Sequence, residues 1–484
     1  MSAIFRFVAN ICAKFGLVMA VAMLLPALSD LRTGSGDWLV FVHSALTVFI
    51  MASLVLVATR GAQAPYTARV GFLLTVSLWI TACLLGSLPL YFSQLPISFA
   101  QAAFESVSGV TTSGATMLTG LDKLPRGILL WRSLLAWIGG VGFIAVALLL
   151  LPSLRVGGVK LFYAESSTIP EKVLPRIHQI GNAILLSYLA LTLVCVLCYF
   201  AAGMSLFDAL NHAMTTVSTT GFSTHDNSLG FYARRPLILL IAIVFMLLSS
   251  LPFIFYIKAA LPRQRRRLLD PQVKVFLILI VAIGLTLTFW LHFAKGLPLP
   301  KALLNAFFHF VSVLTTTGYT TEDYSLWGSF AFGIFFLACF IGGCSGSTSG
   351  GVKISRLIIL WHLTIGKLTA LISPHRIIKV HYGETEISVE TAQNILLFVC
   401  LYITSIIGGS ALLLAIGLDF VSAFSGAVSA LSNIGQGSGS LIGPGGNYAG
   451  LHDNALWILS FLMLAGRLEI ITVFVLFLPA FWRR

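Results

Sequence analysis

The chain has 484 residues, of which 57% are hydrophobic and 10% charged, against about 25% charged in a typical soluble domain. Together with a mean hydropathy of +0.95, this excludes a cytosolic enzyme, a secreted disulfide scaffold and a disordered polymer, and fits a polytopic membrane protein. Thirty Lys+Arg against seventeen Asp+Glu give a formal charge of +13, so what matters is where along the chain the basic residues fall.

A bilayer core takes about 20 apolar residues per helix. Apolar stretches of that order predict spans near 4–28, 37–59, 69–92, 127–152, 180–203, 235–261, 274–294, 327–371 (interrupted), 391–416 and 454–482. The first could be a signal peptide, with Ala27-Leu28-Ser29 as a cleavage-like site. The apolar run from Ala3 to Leu28 is long for that, and a first membrane helix is the preferred reading. The seven cysteines lie mostly in apolar runs, and Cys195/Cys198 has no second pair, so packed thiols are expected.

With a cytoplasmic N-terminus, 21 of the 30 basic residues fall on the inner side and 8 on the outer, while Arg467 lies within a span. That bias is the positive-inside pattern. It accounts for the charge without a nucleic-acid partner. The run Arg263-Gln264-Arg265-Arg266-Arg267 reads as a cytoplasmic loop facing anionic headgroups or an acidic partner. Lys353 reads as marking a cytoplasmic return.

Four shorter semi-apolar segments, near 98–112, 205–219, 300–316 and 419–433, cannot span and read as re-entrant or core helices. Each ends in a small, hydroxyl- and glycine-rich loop. The glycines of these loops are Gly114, Gly221, Gly318 and Gly435, separated by 107, 97 and 117 residues. One such loop would mean nothing; four in register with the hydropathy make an internal repeat.

Non-helical backbone at membrane depth survives only where it is buried in protein or lines a watery cavity. Gly permits dihedrals that a β-carbon disfavours. Four short extended strands around an axis can thus aim rings of carbonyl oxygens at a dehydrated cation. The expected ion-binding residues are Thr112, Ser113, Gly114 and Ala115; Thr219, Thr220, Gly221 and Phe222; Thr316, Thr317, Gly318 and Tyr319; and Asn433, Ile434, Gly435 and Gln436. The negative C-terminal end of each short helix would favour a cation. No carboxylate lies in these loops, which points to a monovalent ion. Asp122, Asp226, Glu322, Asp323 and Asp453 follow the loops and form either an outer cation-concentrating vestibule or ordinary solvated loop acids.

Four membrane-pore-membrane units with one filter glycine each resemble the Trk/Ktr/HKT potassium-uptake superfamily. The two extra N-terminal helices and the segments STTGFSTHDNS (218–228) and TTTGYTTEDYS (315–325) are most similar to its bacterial TrkH/TrkG branch. The resemblance covers essentially the whole chain. It implies an all-α fold, with four repeats around a pseudo-fourfold pore plus two N-terminal helices. It also implies K+ as the transported ion, no organic cofactor in this chain, a homodimer in the lipid of a bacterial inner membrane, cytoplasmic termini, and regulation by a cytosolic nucleotide-binding TrkA-type ring. In plant relatives a Ser at the first filter glycine goes with sodium transport; here that position is Gly114. The fourth loop lacks the Thr-Thr pair and departs most.

The stretch 342–351 cannot be a stable membrane helix. By resemblance it is the gate beneath the filter, with Gly342, Gly343, Gly346, Ser347, Thr348, Ser349, Gly350 and Gly351 as its residues; a static kink is the alternative. A phosphate-binding loop fails because Val352 stands where its Lys should be. A charge mid-membrane costs about 2.5–3.5 kcal/mol on insertion scales. By resemblance Arg467 projects toward the gate as an electrostatic barrier; Glu469, two residues away, is a poor partner for it.

The expected division is 1–62 for two N-terminal helices, then 63–160, 161–268, 269–382 and 383–484 for the four repeats. Cytoplasmic loops 153–178, 258–274 and 362–390 could receive a regulator. A proton- or sodium-coupled symporter with alternating access is the rival function; its repeats are usually two. A membrane-embedded enzyme has no supporting motif: HExxH, GxSxG and clustered intramembrane carboxylates are not found, and the intraspan histidines are scattered.

Overall fold

Away from water each backbone N–H and C=O must be satisfied inside its own segment, so apolar runs become helices. The computed structural model of the protein describes residues 2–64, 67–150, 177–260, 270–373, 379–383, 385–439 and 441–483. Helices α1 (Ser2–Thr33) and α2 (Trp38–Ala58) form an N-terminal hairpin against the first repeat, α3 (Ala68–Phe92), α4 (Phe99–Val110) and α5 (Arg126–Leu150). The second repeat is α6 (Ile177–Ala201), α7 (Leu206–Val217), α8 (Pro236–Ser249) and α9 (Phe253–Ala260). The third is α10 (Pro271–Lys295), α11 (Leu299–Leu314), α12 (Ser329–Ile341) and α13 (Ile354–Ile372). The fourth is α14 (Val389–Ala415), α15 (Phe420–Ser432), α16 (Asp453–Arg467), α17 (Ile470–Val475) and α18 (Pro479–Trp482).

Among the described residues, seven helices are long and apolar enough to cross a membrane: α1, α2, α3, α6, α10, α13 and α14. Large apolar side chains on them, such as Leu46, Leu186, Leu193, Ile278 and Phe293, are exposed on the outer surface. Hydroxyls, by contrast, are buried at the centre, as at Thr215, Thr216 and Ser312. That inversion suits a lipid solvent outside and a polar path inside.

Of the four short helices α4, α7, α11 and α15, three start at a side-chain cap and α11 at a proline. Ser98 accepts from the Gln101 N–H (3.2 Å) and Gln101 returns the bond, a capping box. Ser205 accepts from Asp208 N (3.1 Å) and Asp419 from Ser422 N (3.0 Å), while α11 opens with Leu299-Pro300. Each cap satisfies an otherwise orphan helix-start donor.

Two stretches expected as continuous spans are broken. The predicted span 235–261 bends by 90° between α8 and α9. Pro252 has no N–H and obstructs the preceding turn. The freed groups are taken up elsewhere: Cys344 N donates to Ser250 O (3.1 Å) and Phe253 N to Gly346 O (2.9 Å). The predicted span 454–482 breaks after Arg467, where Glu469 has φ +58°. A two-stranded hairpin, β1 (His381–Tyr382) and β2 (Thr385–Glu386), is a small departure from an all-α chain, and the expected repeat boundary at 382/383 falls in its turn. The basic run 263–267 and most of loop 153–178 lie outside the described residues.

Candidate selectivity filter and gate

The short helices all end the same way. Thr112, Thr219, Thr316 and Asn433 have φ of +56°, +55°, +56° and +55°, and Gly114, Gly221, Gly318 and Gly435 have +80°, +78°, +83° and +85°. The residue between each pair is not in the left-handed region, so the sign of φ alternates along every loop and turns successive carbonyls to one side. A β-branched residue at positive φ is a backbone outlier costing about 1–3 kcal/mol. The same outlier in the same register three times is a built feature. Hydrogen bonds hold it: Ser113 N to Ser108 O (2.8 Å), Thr220 N to Thr215 O (2.9 Å), Thr317 N to Ser312 O (2.9 Å) and Ile434 N to Ser429 O (3.1 Å).

The loops close on one another in chain order. A Cβ placed on Gly114 would lie 1.7 Å from the Thr220 carbonyl oxygen. One on Gly221 would lie 2.0 Å from Thr317 O, one on Gly318 2.2 Å from Ile434 O, and one on Gly435 2.3 Å from Ser113 O. Each glycine therefore faces the carbonyl of the next loop, and the fourth returns to the first. No side chain fits at any of the four positions.

Hydroxyl pairs brace three loops: Thr111 with Ser113 (2.9 Å), Ser218 with Thr220 (2.7 Å) and Thr315 with Thr317 (2.8 Å). In the fourth loop Ile434 removes this pair. Ser432 is held instead by Tyr402 (2.5 Å), and the Asn433 amide donates to Ser113 Oγ (2.8 Å) and Met463 O (3.0 Å). So the fourth loop keeps the backbone and changes the chemistry. Ala115, Phe222 and Tyr319 are buried behind the loops, with Tyr319 Oη bonded to Thr215 and Thr216, whereas Gln436 is partly exposed. A cavity of about 80 Å3 lies beside the four glycines, lined also by Gln436 and Asp226.

The segment between α12 and α13 is seated directly on these loops. Thr348 Oγ1 donates to Val217 O (3.1 Å) and Ser249 O (3.2 Å), Gly350 N donates to Thr316 Oγ1 (2.7 Å), and Gly351 N donates to Ser432 O (3.0 Å). Ser349 Oγ bonds Ser250 Oγ (2.8 Å) and Ser347 Oγ donates to Cys344 O (2.6 Å). Gly342, Gly346 and Gly351 take positive φ, and a Cβ on Gly343 would lie 2.5 Å from Ser349 Oγ. Arg467, buried at the end of α16, donates from Nη1 to Thr348 O (2.7 Å). Glu469 pairs not with Arg467 but with Arg356 (2.8 Å), whose guanidinium also lies 4.0 Å over Phe398.

Two cations differ from their sequence reading. Lys353 does not simply mark a cytoplasmic return: it is buried at φ +79° and its ammonium folds back onto the Ser349 carbonyl. Arg132, an outer basic residue in the sequence reading, is buried behind the segments that follow Gly114 and Gly221. Its Nε meets Glu105 Oε1 at 2.6 Å, Nη2 donates to Thr116 Oγ1 (2.9 Å), Nη1 to Ser223 O (3.4 Å), and its plane lies 4.2 Å over Phe222. Glu105 also accepts from Met117 N (2.9 Å). The available signal was Glu105 itself, a carboxylate on a short buried helix.

The acids that follow the glycine loops are loop braces. Asp122 accepts from His225 (2.5 Å) and from Asp226 N (3.4 Å), Asp226 from Leu121 N (3.0 Å), Glu322 from Asn305 and Trp327, and Asp453 from Ser98. Partial burial alone would raise the Asp122 carboxyl, but the hydrogen bonds from His225 and Asp226 and the nearby His225 charge bring it below its ordinary value.

The sequence pattern of the TrkH family, described as cation transport proteins, matches residues 39–484. The chain belongs to the TrkH family of cation transport proteins. The Trk system potassium uptake protein TrkI of Halomonas elongata is 39% identical over 475 residues, covering 98% of this chain and 96% of that one. The Trk system potassium uptake protein TrkH of Escherichia coli K12 is 34% identical, covering 99% of both. The crystal structure of the potassium transporter TrkH from Vibrio parahaemolyticus superposes with a TM-score of 0.91 at 33% identity, covering 99% of this chain and all of that one. The TrkH-family fold thus extends over the N-terminal hairpin, the four glycine loops and the broken helices.

Proposed function

We propose that this chain is the potassium-translocating subunit of a Trk-type uptake system. The observation that carries this reading is the cyclic approach of four alternating-φ loops, each glycine against the next loop's carbonyl. Carbonyl oxygens held that way replace the hydration shell of K+ without supplying a fixed negative charge. The filter consists of Thr112–Ala115, Thr219–Phe222, Thr316–Tyr319 and Asn433–Gln436. Segment 342–351 is the gate, and Arg467 is its electrostatic latch, placing a buried cation on the same path. Opening must break the bonds of Gly350, Gly351 and Thr348 to three of the four filter units.

The division into an N-terminal hairpin (1–62) and repeats 63–160, 161–268, 269–382 and 383–484 follows from the same reading. So do a bacterial inner-membrane location with cytoplasmic termini, a homodimer, and a cytosolic nucleotide-binding ring of TrkA type that works the gate. The relatives are named as parts of a Trk system, which supports a partner.

Ion flux into liposomes holding the purified protein tests the assignment. Gly→Ser at Gly114, Gly221 or Gly318 is expected to relax discrimination of K+ over Na+. Retained discrimination in all three variants would refute the filter. Saturating flux that follows a proton gradient would favour the symporter instead.

A further inference from the structure

Of the four residues that follow the filter glycines, Ala115, Phe222 and Tyr319 are buried, whereas Gln436 is partly exposed; it lines the cavity at the mouth, as the buried Phe222 also does. Its amide is held at both ends. Tyr324 Oη donates to Gln436 Oε1 (3.2 Å), and Gln436 Nε2 donates to the carbonyl oxygen of Gly318, the glycine of the neighbouring loop. The orientation of the amide is determinate: a backbone carbonyl can only accept, so the NH2 side must face it. Tyr324 is itself fixed, buried with its ring 4.2 Å from Phe335 and 6.4 Å from Trp327.

We propose that Gln436 sets the ion affinity of the outer filter ring by capping the Gly318 carbonyl. This rests on the filter reading above and deepens it: the Gln436 side chain acts on its ring as a competitor for a ligand oxygen and not as a ligand, leaving the residue's backbone in the filter. Among the described residues, no hydrogen bond to the carbonyls of Gly114, Gly221 or Gly435 occurs. An ion entering that ring meets three uncapped oxygens and one already engaged by an N–H. The amide hydrogens also point a positive partial charge at the ion. Full coordination requires the amide to leave Gly318, and the Tyr324 bond keeps it close enough to return. The cap makes the ring chemically asymmetric and lowers its hold on K+, which helps an ion to move on, since conduction needs sites that bind weakly enough to release.

The test compares Gln436→Leu and Gln436→Ala with the unaltered protein in liposomes, reading the K+ concentration for half-maximal flux and the maximal rate separately. The K+ concentration that half-protects the purified protein from heat gives a second readout independent of turnover. Removing one neutral hydrogen bond that competes with the ion should lower both concentrations by about two- to tenfold, with no gain in maximal rate. Tyr324→Phe, which frees the far end of the amide, should shift them in the same direction by less. Half-saturation that is unchanged or raised in both Gln436 variants overturns the proposal. Gly318→Ala separates the two claims. If it loses K+ discrimination while the Gln436 variants show no affinity shift, the cap falls and the filter stands. If it keeps discrimination, the filter assignment falls and the cap with it.

Discussion

Removing either half of the Arg132–Glu105 pair should cost far more than removing both. Both side chains are about 1% exposed or less, and the pair is closed at 2.6 Å. Leaving one buried charge without its partner costs about 3–5 kcal/mol. Glu105→Leu strands the guanidinium beneath Thr116 and Ser223, and Arg132→Met strands the carboxylate on α4. The double variant strands no charge. Its remaining cost is chiefly the Met117 N–H deprived of Glu105, about 1–3 kcal/mol for an unsatisfied buried donor. The two single effects together should thus exceed that of the double by about 3 kcal/mol or more, at or above the upper end for contacting residues. The assay is denaturant unfolding of the purified protein in detergent, read for each single and the double variant. Single effects that simply add in the double would refute the view that the two side chains form one unit. Because the pair ties the loop after Gly114 to the loop after Gly221, the same variants should relax K+ over Na+ discrimination in flux.

Gly221→Ala should abolish discrimination or flux, since its methyl would stand 2.0 Å from the Thr317 oxygen and one strand must move; near-normal selective flux would contradict the close approach. Thr316→Val removes the acceptor of the Gly350 N–H (2.7 Å), and deletion of residues 346–350 removes the segment; both should raise flux in the absence of any regulatory partner, as a basal liposome measurement would show. For Asp122 the folded-state carboxyl lies below its ordinary value. Its bonds to His225 and Asp226 stabilise the protein above the unfolded-state pKa, and that contribution is lost as the pH falls through the folded one. Asp122→Asn should be less stable at neutral pH and should show a flatter loss of stability on acidification, a small effect because Asp122 is nearly half exposed. Equal acid profiles would refute the brace.

Much of this architecture is legible because it is periodic. Long apolar runs, short re-entrant segments and four glycines in register are properties of the linear chain, and the short helices begin at their caps, as at Ser98 and Ser205. The break at 342–351 is equally plain, because a run of Gly and Ser has no helical alternative. What stays hidden depends on residues distant in sequence. Arg132 reads as a charge near an outer loop until α4 brings Glu105 to it across 27 positions. Lys353 looks like a cytoplasmic marker until its stem folds back onto Ser349. The bend at Ser249–Pro252 follows a local signal, but its stability depends on Cys344 and Gly346, about a hundred residues on. The positive φ of Thr112, Thr219 and Thr316 runs against the local preference of a β-branched residue. Only the closing of four loops on one another explains it.

The most direct test of the central claim is the reversal potential of the purified protein in a planar bilayer, under opposed K+ and Na+ gradients at symmetric pH. Four carbonyl-lined loops predict reversal near the K+ equilibrium potential, moving toward that of Na+ in Gly221→Ser. Reversal that follows Na+ in the unaltered protein, or that moves with an imposed proton gradient, would contradict it.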